Sequence, residues 1–209
     1  MKITKFAHSC LLVEEAERFV LIDPGNYSEV FKKQLLSLSR LDYILITHDH
    51  FDHFSVPLIK SLLTKFSDIQ IIGTKSVKEK LLEENIKTQN TSDGVIQFED
   101  SPHEKMFFKG PITENVVFTI FNKLTHPGDS FQFNTTTQVL ALPVDAPWGS
   151  SVQAFTKALQ VKPKIIIPIH DAMMKDEAIE SFLYPSLTKV FDEEGIEFKG
   201  LKNGETIEV

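Results

Sequence analysis

The feature that most constrains the fold is an apolar run that leads directly into a dense cluster of histidine and aspartate. Tyr43–Ile46 (YILI) is followed by Thr47 and then by HDHFDH at residues 48–53. Four consecutive apolar residues predict a buried strand. Ser55 is a suitable N-cap for a helix that runs to about Phe66. The cluster therefore occupies a strand-to-helix loop, where α/β proteins commonly place their chemistry.

The residue types in this loop indicate metal binding. Three of the chain's seven histidines fall within six positions, together with two aspartates. Residues that alternate along an extended loop point the same way, so His48 and His50 can converge on one metal ion. Asp52 and His53, which lie at the entrance to the predicted helix, can bind a second ion. Nitrogen and carboxylate ligands suit zinc, and equally manganese or iron. The alternative, a solvated polar loop, is disfavoured by the density of the pattern.

Three later residues are further ligand candidates, because each lies where an apolar or extended segment meets a polar turn. His103 follows Ser-Pro, and Asp129 lies in the sequence THPGDS. His170 ends the apolar segment 165–169. A surface histidine is the alternative for His103, and an ordinary turn aspartate is the alternative for Asp129.

Composition favours a small-molecule substrate over a nucleic acid. The net charge of −7, without a basic run, disfavours phosphate-backbone binding. The single cysteine, Cys10, lies in an apolar run, which predicts a buried core thiol and a reducing compartment. The sequence shows neither a signal pattern nor an 18-residue apolar run, so we expect a cytoplasmic protein without a membrane segment. The oligomeric state stays open, a homo-oligomer included.

The order of predicted elements indicates two similar halves in a single domain of residues 1–209. Strands come first, then strand–helix alternation, then strands again, then a second alternation. This order favours two sheets packed face to face with helices outside, an αββα sandwich. The predicted strands are 2–7, 10–14, 18–22, 43–46, 69–72, 164–169, 196–200 and 205–209, with apolar pieces at 95–98, 105–108, 116–121 and 138–142. The predicted helices are 28–39, 55–66, 75–84, 151–161 and 172–194, the last with a break at Pro185.

These motifs resemble the metallo-β-lactamase-fold superfamily along nearly the whole chain, from Asp23-Pro24-Gly25 through HDHFDH to Pro168-Ile169-His170. The phrases DYILITH and KPKIIIPIHD are most similar to small single-domain hydrolases related to ascorbate-6-phosphate lactonase. The resemblance implies an α/β protein with a four-layer αββα sandwich of the metallo-β-lactamase type. It also implies two divalent metal ions, the first bound by His48, His50 and His103, the second by Asp52, His53 and His170, with Asp129 as the bridge.

The resemblance also suggests residues around the metals. Asp23 resembles the superfamily's strand-end aspartate, which is expected to hydrogen-bond a ligand histidine and fix its tautomer; an ordinary turn residue is the alternative. His8 is either a pocket residue or a strand histidine. His126 is expected in the pocket rather than as a ligand, with a plain loop histidine as the alternative. Asp145 and Trp148 are candidate pocket residues, and loop packing explains them equally well.

The function that follows is a dinuclear metal-dependent hydrolase. A metal-bridged hydroxide would attack a carbonyl or phosphoryl group of a small substrate, a lactone, phosphoester or amide. Asp52 would also orient or deprotonate the nucleophile, and His126 would protonate the leaving group. A phosphodiesterase or nuclease of the same fold is the alternative, although it would need a basic surface. An iron redox protein of this fold generally carries Glu where this chain has His50, and a non-catalytic member would not be expected to retain every ligand candidate.

Overall fold

The computed structural model describes residues 1–89, 94–106 and 110–209. The chain divides into two compact units: unit 1 comprises residues 1–93 and 202–209, and unit 2 comprises residues 94–201. Among the described residues each unit contains one six-stranded sheet together with helices, so the predicted α/β class is confirmed. The assignment of residues 1–209 to a single domain stays a prediction.

The elements are numbered along the chain. The strands are β1 (Lys2–Ala7), β2 (Cys10–Glu15), β3 (Arg18–Ile22), β4 (Tyr43–Ile46), β5 (Gln70–Gly73), β6 (Ile96–Asp100), β7 (Val116–Ile120), β8 (Leu124–His126), β9 (Val139–Pro143), β10 (Ile165–Ile169), β11 (Glu197–Phe198) and β12 (Thr206–Glu208). The α-helices are α1 (Lys32–Ser37), α2 (Val56–Lys65), α3 (Lys75–Glu83), α4 (Ser151–Val161), α5 (Asp176–Ala178) and α6 (Tyr184–Glu193). A 3-10 helix (Asn26–Phe31) precedes α1, and a π-helical segment (Ile179–Leu183) joins α5 to α6.

The sheet of unit 1 has the strand order β12-β1-β2-β3-β4-β5. Its strands are antiparallel from β12 to β3 and parallel from β3 to β5. One face of this sheet packs with α2 and α3 into an apolar core that includes Leu12, Ile44, Leu62 and Leu81. Strand β4 lies between β3 and β5 and is buried along its length, which explains its uninterrupted apolar sequence.

The sheet of unit 2 has the strand order β11-β10-β9-β8-β7-β6. Its strands are antiparallel from β6 to β8 and parallel from β8 to β11. Strands β9 and β10 pack with α4 and α6 into a second apolar core that includes Leu140, Ile166, Leu187 and Phe191. In both units, therefore, polar loops follow the carboxyl ends of apolar parallel strands.

Three helices begin at residues whose hydroxyl groups accept a backbone N–H. Ser55 caps α2, Thr74 caps α3, and Ser150 forms a capping box with Gln153 at α4. Such caps satisfy N–H groups that have no partner within the helix, and each stabilises by about 1 kcal/mol. The cap at Ser55 fixes where the HDHFDH loop ends and α2 begins.

Most predicted elements are confirmed, and the differences are local. Strand β8 has only three residues and was not predicted. The last predicted helix begins at Asp176 rather than at residue 172, and it is not broken at Pro185, because the preceding π-helical segment continues into α6. Residues 107–108 of the predicted piece 105–108 lie outside the described residues, and 105–106 are not a strand. Within the described part of the chain, no helix combines the length and apolar content needed to cross a membrane.

Candidate metal centre

The loop at residues 47–55 is fastened to the turn that follows β3. The Ser55 N–H donates to the Pro24 carbonyl at 3.0 Å, and the Asn26 N–H donates to the Phe51 carbonyl at 2.9 Å. Gly25 fits between them, because a Cβ atom at this position would lie 1.8 Å from the carbonyl oxygen of Asp52. The Asp23-Pro24-Gly25 turn therefore determines the path of the HDHFDH loop.

The carboxylate of Asp23 organises the inner side of this loop. It is fully buried and accepts hydrogen bonds from the backbone N–H and the hydroxyl of Thr47, both at 2.7 Å. It also accepts the Nδ1 proton of His53 at 2.7 Å. Because the proton is held on Nδ1, the Nε2 atom of a neutral His53 carries the lone pair that metal ligation needs.

His48 has the same tautomer. The hydroxyl proton of Thr47 goes to Asp23, so its oxygen accepts from Nδ1 of His48 at 3.0 Å. The His48 ring lies edge-on to the half-buried His50, with centroids 4.7 Å apart, and 4.1 Å from the ring of His53. Unit 1 thus brings together the three histidines of the loop.

Asp52 has a further neighbour that lies far away in the sequence. Its Oδ2 atom is 3.2 Å from Nε2 of His8, and both side chains are buried. His8 lies in the turn between β1 and β2, so it is not a strand histidine. The ligand atoms of His8, Asp52 and His53 lie within 4.8 Å of one another.

Unit 2 brings together the remaining three predicted ligands around one carboxylate. The Nε2 atoms of His103 and His170 each lie 3.2 Å from Oδ2 of Asp129. Nδ1 of His103 donates to the Glu104 carbonyl at 2.5 Å, and Nδ1 of His170 donates to the Asp145 carbonyl at 2.7 Å. Since a carbonyl can only accept, both rings carry the proton on Nδ1 and direct Nε2 at the aspartate.

Asn115 supports the histidine–aspartate cluster of unit 2, and sequence reasoning missed it. Its side-chain amide donates to the carbonyls of Ser101 and Pro127 at 2.8 and 2.9 Å. Its side-chain oxygen accepts the N–H of Asp129 at 3.1 Å. A lone asparagine at the start of β7 gives no sequence signal for this role, because its partners are 12 to 14 residues away. Thr47 was missed for the same reason, although its partner Asp23 was identified.

Trp148 packs against two of the three histidines of unit 2. Its ring lies edge-on to those of His103 and His170, at centroid distances of 5.6 and 5.2 Å, and also contacts Phe131. The indole thus restricts the orientation of both imidazoles. Asp145, the other candidate of this segment, contributes its backbone carbonyl to His170.

His126 differs from His53, His103 and His170 in its tautomer. It ends β8, is fully buried, and its Nδ1 atom accepts the N–H of Gly128 at 3.3 Å. The proton of a neutral His126 is therefore on Nε2, the reverse of His53, His103 and His170. This arrangement suits a hydrogen-bond donor rather than a metal ligand.

Three residues of these clusters have left-handed backbone conformations. The φ angles are 56° at His8, 46° at Asp23 and 62° at His170. Non-glycine residues adopt this region at a cost of order 1–3 kcal/mol, and such strain concentrates at functional sites.

The donor set of each unit fits a divalent metal ion. Imidazole nitrogens and carboxylate oxygens are ligands for zinc, manganese and iron alike. In each unit, oxygens of the protein accept the Nδ1 protons, so that the lone pair of each ring is on Nε2, as is usual for metal-ligating histidines. A bound cation would also compensate the buried carboxylates that face these imidazole nitrogens.

Comparison with known proteins identifies the family. The family model described as "Beta-lactamase superfamily domain" matches residues 2–170. Protein Rv0786c of Mycobacterium tuberculosis (strain ATCC 25618 / H37Rv) is 29% identical over 202 residues, which cover 91% of this chain and 92% of that protein. The UPF0173 metal-dependent hydrolase of Carboxydothermus hydrogenoformans is 27% identical over 196 residues, covering 81% of this chain and 84% of that protein.

Solved structures show the same fold. Igni18, a metallo hydrolase from Ignicoccus hospitalis KIN4/I, superposes with a TM-score of 0.74 and 17% identity, covering 99% of this chain and 97% of that one. The metallo-beta-lactamase fold protein YhfI from Bacillus subtilis gives a TM-score of 0.70 and 18% identity, with coverage of 99% and 98%. The predicted fold class is thereby confirmed, and the chain belongs to the metallo-β-lactamase-fold superfamily.

Proposed function

We propose that the protein is a metal-dependent hydrolase of a small substrate that carries a carbonyl or phosphoryl group. Membership of the superfamily and relatives described as metal-dependent hydrolases support this class. We retain the sequence-based ligand assignment, two divalent ions held by seven residues, as part of the proposal. These residues are His48, His50, Asp52, His53, His103, Asp129 and His170.

The observation that carries the proposal is the shared tautomer of the ligand histidines. Each Nδ1 atom of His53, His103 and His170 donates to an oxygen of the protein. Histidines that serve only in packing have no common requirement for proton position, whereas a metal-ligating histidine needs a lone pair on one ring nitrogen, here Nε2, and usually donates the proton of the other to an acceptor. The same pattern occurs in both units.

The residues would divide the chemical work as follows. Divalent ions in such a site, when bound, acidify water and polarise the oxygen of a carbonyl or phosphoryl group. Asp52 would orient the nucleophile and accept its proton. His126, which carries its proton on Nε2, would donate a hydrogen bond from Nε2 to the leaving group and so stabilise the charge that develops there. Trp148 would hold the rings of His103 and His170 in place.

The surroundings of the unit 1 cluster favour a substrate with an apolar part. Phe51 lies within the ligand loop and is 58% exposed. Its ring is 6.3 Å from that of Tyr27, which in turn packs on His8 at 5.1 Å. We expect these two aromatic rings, which lie beside predicted ligands, to contact an apolar group of the substrate. The net charge of −7 disfavours a polynucleotide.

Metal analysis combined with a substrate panel tests the proposal. Purified protein should bind divalent metal stoichiometrically by elemental analysis and should hydrolyse at least one member of a panel of lactones, phosphomonoesters, phosphodiesters and amides. The double variant His48→Ala/His50→Ala should lose metal and activity together. Unchanged metal content in this variant would contradict the proposal.

His126→Gln is the matched control, because it alters a buried histidine outside the ligand set. It should keep the wild-type metal content while its turnover falls by about 100-fold or more, the range for loss of a hydrogen-bond donor to charge that develops in the transition state. Loss of metal in this variant would instead place His126 among the ligands.

A further inference from the structure

His8 lies in a turn whose backbone is shaped to point its side chain inward. Strands β1 and β2 pair Ala7 with Cys10, which leaves His8 and Ser9 as a two-residue connection. The pairing register shifts between Lys5 and Ala7, a bulge of the kind that re-aims a side chain. His8 has a φ of 56°, a conformation that glycine or asparagine usually provides in such turns. The fold thus places a histidine where its backbone is strained.

The side chain of His8 faces two predicted ligands of the same unit. Its Nε2 atom lies 3.2 Å from Oδ2 of Asp52, and its ring is edge-on to that of His53 at 5.5 Å. All three side chains are buried. On its other side the ring packs against Tyr27 at 5.1 Å, which fixes its orientation.

We propose that His8 is itself a metal ligand, which joins Asp52 and His53 in binding the second of the two proposed ions. The proposal rests on the metal binding put forward above and adds a ligand that lies outside the HDHFDH motif. It also assigns a use to the strained turn between β1 and β2.

Two geometric features favour ligation. The 3.2 Å from Nε2 of His8 to Oδ2 of Asp52 equals the separation of both His103 and His170 from Asp129, the predicted ligands of unit 2. The ligand atoms of His8, Asp52 and His53 also lie within 4.8 Å of one another. Two ligands of one tetrahedral zinc ion, each about 2.0–2.2 Å from the metal, lie about 3.3–3.6 Å apart. The 3.2 Å between Nε2 of His8 and Oδ2 of Asp52 is close to this separation.

The rival role for His8 is a hydrogen bond that only positions the Asp52 carboxylate. Loss of such a supporting partner lowers metal affinity by about 10- to 100-fold and leaves the ligands themselves in place. Loss of a ligand removes a donor atom, which weakens binding of that ion further and changes the ligand field. Affinity and spectrum together separate the two roles.

His8→Gly is the variant of choice, because glycine adopts a φ of 56° without strain and the fold should tolerate it. Ala16→Gly is the matched control, since Ala16 has a φ of 47° in the next hairpin of the same sheet and offers no donor. Metal-free protein would be titrated with Co²⁺, and both the stoichiometry and the visible absorption of the bound cobalt would be recorded.

We expect wild type and Ala16→Gly to bind cobalt identically. In His8→Gly, the affinity for one ion should fall by more than about 100-fold, the absorption of that ion should change, and added imidazole should restore part of both. Wild-type affinity in His8→Gly, or weakened binding with an unchanged spectrum, overturns the proposal while leaving the proposed function intact. Absence of cobalt binding by wild type would overturn the proposed function itself.

Discussion

The position of a single proton distinguishes the buried histidines of this protein. Where a carboxylate or carbonyl oxygen faces Nδ1, as at His53 and His170, the opposite nitrogen is available as a ligand. Where a backbone N–H faces Nδ1, as at His126, the opposite nitrogen carries the proton and can donate a hydrogen bond. The amino-acid sequence shows that these residues are histidines, but only their hydrogen-bond partners determine their chemistry.

Asp23 should therefore control metal affinity without touching the metal. Asp23→Asn replaces the carboxylate that accepts the His53 proton with an uncharged amide, which has one accepting oxygen and one donating NH₂ group. The His53 ring therefore loses the partner that fixes its orientation. We expect metal affinity to fall by about 10- to 100-fold, measured by titration of metal-free protein.

Asp42→Asn is the control for loss of a carboxylate in unit 1. Asp42 also accepts a backbone N–H, from Phe19 at 2.9 Å, and pairs with Arg40. Its replacement should lower stability but leave metal affinity unchanged. Equal losses of affinity in both variants would mean that Asp23 acts on the fold as a whole.

Cys10 makes stability depend on pH in the alkaline range. Burial raises the pKa of its thiol from 9.0 to about 12; a hydrogen bond with Ser28 offsets part of this rise, and the charge of Asp23 adds to it. The unfolded thiol ionises above its pKa of 9.0 while the folded thiol keeps its proton. The free energy of unfolding should therefore fall as the pH rises from 9.0 towards 12.

Urea unfolding of wild type and Cys10→Ala, at pH values of about 8 and about 10.5, measures this contribution. Wild type should lose more stability than the variant between the two values, because alanine has no proton to lose. Equal losses would show that the thiol ionises alike in both states.

At the level of elements, the turn after β3 and the HDHFDH loop after β4 are joined by backbone hydrogen bonds. Their contact depends on Gly25, whose φ of −81° suits any residue but whose missing side chain leaves room for the Asp52 carbonyl. Alanine here meets backbone atoms, which cannot rotate away as a side-chain end could.

Gly25→Ala should consequently destabilise the protein by about 1–3 kcal/mol, the range for overpacking, and should weaken metal binding through displacement of Asp52. Thermal unfolding and metal titration measure the two effects. Gly110→Ala is the control, because Gly110 is exposed and an added Cβ meets no described atom within 4 Å. A Gly25→Ala protein with wild-type stability and affinity would contradict this account.

Sequence patterns predicted elements well wherever burial produced a clear period or run. Strands β1 and β4 have the predicted bounds, and so does α4. Strand β8 escaped prediction because three residues are too few to show alternation. The break expected at Pro185 was wrong: the π-helical segment Ile179–Leu183 leads directly into α6, and Pro185 is the second residue of that helix.

At the scale of the whole molecule, the positions of the predicted ligands can be inferred from the sequence, whereas the hydrogen bonds that support them cannot. In both units the predicted ligands follow the carboxyl ends of strands: His48 follows β4, and His170 follows β10. That placement was predictable from apolar runs that end in histidine. The support from Asn115, Thr47 and the backbone carbonyls was not, because these hydrogen bonds join residues without a shared motif.

Metal removal is the test that involves the whole molecule. An ion bound only by the folded chain adds RT ln(1 + [M]/Kd) to stability, about 4 kcal/mol at a free concentration 1,000 times Kd. Chelation should lower the unfolding midpoint of wild type by several degrees, and restored metal should reverse the change. His48→Ala/His50→Ala should respond much less to the same chelator, since His48 and His50 are both predicted ligands. If elemental analysis found no metal in the wild type and neither chelation nor added metal changed its unfolding curve, the buried histidine–aspartate clusters would be stable without a cation, and the metal-binding basis of the proposed function would fail.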